Sequence, residues 1–229
     1  MLAGGAVALR DLLLVSLSWW AVSLSGVLMP GPVSALAVSE GARRGAVAGP
    51  LVTLGHAAAE VAMFGALALG TGRLLQQPAV VGVIGLIGGA VLAWMGWGIV
   101  QAARQGGQAG TAPPAAATAT AGRGATVVRA GLLATLFNPY WLLWWATVGA
   151  AYYVLFARFG TAALLALFLV GHLALDLGWC SVLALVVGAG RGRMPLRAYQ
   201  AVLAVCGVFV LATSLYFAVS GIQLLRTSP

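Results

Sequence analysis

Polar positions are so sparse along this chain that they mark where elements end. Long apolar runs fill roughly 12–38, 46–70, 79–101, 130–155, 161–187 and 200–224. A run of about 20 apolar residues crosses the ~30 Å hydrocarbon layer as a helix. The pattern therefore predicts an all-α membrane protein with six transmembrane helices. Arginines mark the gaps. Arg43 and Arg44 follow the first run, Arg73 the second and Arg104 the third. Arg129 precedes the fourth run, Arg158 follows it, and Arg191, Arg193 and Arg197 separate the fifth from the sixth. The first run lacks a clear A-x-A cleavage site and continues through Met29-Pro30-Gly31-Pro32. It is expected to stay as a helix rather than leave as a signal peptide.

Composition agrees with this reading. Of 229 residues, 62% are hydrophobic and 7% are charged, against about 25% charged in soluble domains. A soluble globular domain and a disordered chain are both excluded. The net charge is +8, but the arginines are dispersed and form no basic cluster interleaved with aromatics. No nucleic-acid partner is expected. Cys180 and Cys206 are too few for a disulfide framework. Neither lies in a CxxC, which disfavours a thiol shuttle.

Basic residues concentrate in loops on the cytoplasmic side. An outside N-terminus puts eight arginines in inside loops and four outside, so both termini are expected outside. Residues 105–125 carry Gly106-Gly107, Pro113-Pro114 and many Ala and Thr, the composition of a flexible cytoplasmic linker. It would divide the chain into three-helix units at 1–104 and 126–229.

The two units share a motif. Gly55-His56-Ala57-Ala58-Ala59-Glu60 and Gly171-His172-Leu173-Ala174-Leu175-Asp176 both read G-H-x-x-x-acid. Three helices are an odd number, so a second copy enters the membrane in the opposite sense. Inverted repeats of this kind place substrate sites near the midplane, between the copies. Glu60 and Asp176 are expected to be the only charges inside the spans. A carboxylate at a helix centre costs about 2.5–3.5 kcal/mol on insertion scales, so the pair points to a proton relay or a partner for a cation. His56 and His172 lie four residues before these acids, on the same helix faces. Each could tune its acid, complete a metal-ligand set, or simply satisfy a structural carboxylate.

Two helices should be broken. Pro30 and Pro32 remove backbone donors on either side of Gly31, so the first helix should unwind and restart near Val33. Pro139 breaks the fourth helix, with Asn138 suited to cap the restarted half. Freed backbone groups are tolerated in a membrane where protein or a watered cavity satisfies them. Half-helix amides would favour an anion such as a carboxylate. Tyr140, Trp141, Trp144 and Trp145 follow the second break near mid-span, where they either line a cavity or pack. Gly85, Gly89 and Ala93 form a small-xxx-small stripe that allows close helix approach, within the bundle or between protomers.

The Pro-Gly-Pro break followed by Gly45, Gly49 and Gly55, together with Asn138-Pro139 and six spans around a basic central loop, resembles the LysE/RhtB amino-acid exporter family. The resemblance covers nearly the whole chain. It implies export of amino acids from bacterial or archaeal cytoplasm, with Pro30, Gly31, Pro32, Asn138 and Pro139 at the family's motif positions. Many members carry Asn-Pro-Lys where this chain has Tyr140, so the resemblance carries no particular substrate.

These observations lead to a non-enzymatic secondary transporter in the cell membrane that exports an amino acid or similar small zwitterion. Proton coupling and alternating access are expected. The rival is a divalent-metal transporter using His56, Glu60, His172 and Asp176. No cofactor is expected, no ATP-binding motif is present, and a homodimer is an open partner.

Overall fold

The computed structural model describes residues 2–71, 74, 77–105, 124–190 and 195–227. The helices are α1 (Leu2–Val27), α2 (Pro32–Arg44), α3 (Ala48–Ala68), α4 (Pro78–Arg104), α5 (Gly124–Leu136), α6 (Pro139–Ala157), α7 (Thr161–Ala189) and α8 (Leu196–Thr227). No strand occurs among the described residues. Helices are the expected answer where no water can satisfy backbone groups. The linker expected at 105–125 lies almost wholly outside the described residues, as do Arg73, Arg123, Arg191 and Arg193.

Among the described residues, five stretches are long and apolar enough to cross a membrane: Pro32–Ala68, Pro78–Arg104, Pro139–Ala157, Thr161–Ala189 and Leu196–Arg226. The first of these folds back on itself. Gly45 adopts φ +74°, a left-handed region that favours glycine, and a 3-10 turn over Gly45–Val47 joins α2 to α3. Gly41 and Gly45 sit against Ala184 and Gly188 of α7, while Gly49 sits against Ser181. His56 and Glu60 then reach Asp176 and His172. Thus α2 runs parallel to α7, and α3 runs antiparallel to it.

The end expected for the first span needs a correction. Glu40, expected beyond the first span, is a buried side chain of α2, 1% exposed. Arg43 and Arg44, three and four residues on, both bind its carboxylate. The charge is tolerated because it is neutralised locally, on one helix face.

Both breaks exist. Helix α1 ends at Val27, Gly31 is extended, and Pro32 opens α2 one residue earlier than expected. Pro32, Pro78 and Pro139 all occupy first helical positions, where the missing N–H leaves no intrahelical bond unmade. Helix α5 ends at Leu136, and Asn138 Oδ1 accepts a hydrogen bond from the Tyr140 N–H at 3.1 Å. The breaks differ in placement. Thirteen residues follow the first break in α2, and thirteen precede the second in α5. Because α5 runs parallel to α3, both breaks lie about 20 Å from the same end of the bundle.

Glycines set the closest approaches. In α4, a Cβ on Gly85 would stand 2.9 Å from Phe217 O, and one on Gly89 would stand 3.1 Å from Ser214 O. The small-residue stripe is therefore spent on α8 of the same chain. In α3, a Cβ on Gly55 would collide with Val128 O of α5. That contact presses α3 against α5 beside His56.

Candidate functional site

The two G-H-x-x-x-acid motifs meet. His56 Nε2 lies 3.2 Å from Glu60 Oε1 and 3.5 Å from Asp176 Oδ2. His172 Nε2 lies 3.3 Å from Glu60 Oε2 and 3.5 Å from Asp176 Oδ2. Each histidine thus touches the acid of its own helix and the acid of the other. The i, i+4 spacing supplies the first contact. The antiparallel packing of α3 on α7 supplies the second. The result is a closed quartet of two imidazoles and two carboxyl groups.

Its surroundings are mostly aromatic. Trp141 and Trp145 of α6 donate their indole N–H groups to Glu60 Oε1 at 2.7 and 2.9 Å. The Trp144 ring stacks on His172 at 5.2 Å, and Trp19 tilts against it at 5.3 Å. The aromatic run after the second break therefore does more than pack. Trp145 begins a π-helical turn over Trp145–Gly149, and a second π turn over Leu164–Val170 leads directly into Gly171-His172. Such turns free carbonyls from the α-helical ladder. Phe168 O and Leu167 O are met by the indoles of Trp19 and Trp20, both at 3.0 Å.

One cavity joins the quartet to both breaks. Its lining includes Pro30, Gly31, Pro32, His56, Glu60, Asn138, Tyr140, His172 and Asp176. Of the residues expected at the site, Pro139 alone is absent from that lining. Its ring packs on α4, where a Cβ on Gly88 would stand 2.7 Å from it. Several lining residues went unforeseen: Ser23, Ser34, Trp179, Cys180 and Thr213 among them. Ser23 Oγ, His172 Nδ1 and Trp179 Nε1 are buried without a hydrogen-bond partner. Buried polar atoms are nearly always paired, so a cluster of exceptions around one cavity suits a polar ligand.

A model of the LysE type translocator family matches residues 24–221, which takes in both breaks and both motifs. The chain belongs to the LysE type translocator family. No curated protein and no solved structure matches it. Family membership and the long apolar helices make it a multi-pass membrane translocator of small molecules. In this translocator, ligand atoms of His56, Glu60 and Asp176 lie within 4.8 Å of one another, a set that could hold a metal ion. Cys180 and Cys206 are both free thiols.

Proposed function

We propose that this translocator exports an amino acid or similar small zwitterion in exchange for protons. Two three-helix units of opposite membrane sense, six spans in all, would rock about the cavity. The observation that carries this reading is the shared cavity, with its two His–acid pairs and two helix breaks. A zwitterion needs partners of both signs, and the cavity supplies both.

The roles divide according to what each group already binds. Glu60 Oε1 accepts from two indoles and faces His56. Glu60 is also fully buried, so it holds and passes the coupling proton with the two histidines. Asp176 has no such indole clamp and is 7% exposed; it takes the substrate ammonium. The carboxylate goes to the start of α2, where Pro32 donates nothing and the next amides have no intrahelical acceptor. The start of α6 is less available, because Asn138 already caps the Tyr140 N–H. The Trp144 and Tyr140 rings flank the substrate.

Efflux from substrate-loaded proteoliposomes tests this. Glu60→Gln and Asp176→Asn should each abolish efflux while the protein still inserts. Efflux at wild-type rates in both variants would sink the assignment. The divalent-cation reading is not favoured by the family. Calorimetric binding of a divalent metal that is lost in His56→Ala would restore it. The cytoplasmic placement of the linker, with both termini outside, is tested by a cysteine at position 110. It should resist an impermeant reagent added from outside.

A further inference from the structure

The two histidines of the quartet are held differently on their far sides. His56 Nδ1 lies 2.8 Å from Thr135 Oγ1. Thr135 is fully buried, on α5. Its hydroxyl donates to Gly131 O, one turn back, also at 2.8 Å. A hydroxyl carries one hydrogen and two acceptor lone pairs. With that hydrogen committed to Gly131 O, the oxygen can only accept from the imidazole. His172 has no counterpart: its Nδ1 is buried and unpartnered, and its ring is held by stacking on Trp144.

We infer that Thr135 is a positioning residue that fixes neutral His56 in the tautomer with hydrogen on Nδ1. Nε2 is then the nitrogen that gains and loses a proton. It is also the nitrogen that faces Glu60 and Asp176. The fixing group arrives through packing. Gly55, beside His56, and Gly131, whose carbonyl takes the hydroxyl, both lie where α3 and α5 touch backbone to backbone. Which ring nitrogen is protonated is set by the bond the other one makes. Thr135 thus acts on the quartet without touching either acid.

The role of this tautomer in coupling rests on the proton-exchange reading above, whereas the tautomer itself can be read without transport. The chain has only two histidines, so nitrogen-15 spectra of histidine-labelled, tag-free protein in nanodiscs resolve them, with His172→Gln as the assignment. Across a pH series, neutral His56 should show a pyrrole-type Nδ1 and a pyridine-type Nε2. Thr135→Val should exchange these types or mix them, and Thr135→Ser should restore the wild-type pattern. The pH midpoint of efflux should move in Thr135→Val and return in Thr135→Ser. A pyrrole-type Nε2 in wild type overturns the inference, as does an unchanged pattern in Thr135→Val. So does a His56 that never becomes neutral, since it would then exchange no proton. A correct tautomer pattern in a protein that exports nothing would instead count against the transport reading alone.

Discussion

The two copies of the G-H-x-x-x-acid motif are alike in sequence and unlike in their surroundings. In α3, Glu60 is fully enclosed and clamped by Trp141 and Trp145, and His56 is tied to Thr135. In α7, Asp176 has no indole clamp, and His172 leans on aromatic rings with one nitrogen unpartnered. The preceding glycines differ too. Gly55 meets backbone, while Gly171 meets the indole of Trp20. A repeated motif can thus share its spacing and differ in its partners. The first copy takes two indole bonds and a hydroxyl contact, while the second keeps His172 Nδ1 without a hydrogen-bond partner.

Neutralising each acid should separate the two copies most. Glu60→Gln should end efflux and proton movement together. Asp176→Asn should end efflux while the indole clamp on Glu60 survives, visible as unchanged tryptophan fluorescence. Equal fluorescence changes in both variants would erase the proposed asymmetry.

Removing the clamp should have the next largest effect. Hydrogen bonds to charged groups are worth about 1.5–3 kcal/mol. Trp141→Phe and Trp145→Phe should each lower thermal stability by an amount in that range, with efflux reduced rather than abolished. Trp144→Phe, which donates nothing to Glu60, should leave stability nearly unchanged.

The glycines give a smaller contrast. Overpacking costs about 1–3 kcal/mol. Gly55→Ala should reach the upper end, because Val128 O is backbone and cannot step aside. Gly171→Ala should cost less, because the Trp20 ring can turn. Melting temperatures in one detergent decide the order. The smallest effect is expected at Ser23, whose buried hydroxyl has no partner. Ser23→Ala removes that unpartnered hydroxyl, so it should not lower stability, yet it should weaken substrate binding, read as a higher half-saturation concentration for efflux.

The repeat was legible in the sequence because two acids at matched positions in apolar helices have few explanations. The breaks were legible because proline cannot donate, wherever the helix is packed. Thr135 and Ser23 were not. A hydroxyl in an apolar helix carries no periodic signal, and its partner is chosen by packing: Thr135 is 79 residues from His56. Glu40 left a mark, since Glu with Arg three and four residues later is a self-neutralising pattern, but the apolar run stops at residue 38, while α2 continues through Glu40 to Arg44. Pro139 is expected at the site from its motif; its neighbours Asn138 and Tyr140 line the cavity, and its own ring lies against Gly88 of α4. Which surface the Gly85–Gly89 stripe meets depends on α8, whose Gly221 lies against it and whose Gly207 lies against Gly96 and Val100 farther along α4.

The proposed coupling of proton movement to export through the quartet can be read by recording lumenal pH with a trapped dye while substrate leaves proteoliposomes. Proton entry should track efflux in the wild type and be absent in Glu60→Gln. Substrate efflux with no accompanying pH change, or coupled proton entry that survives in Glu60→Gln, would contradict it.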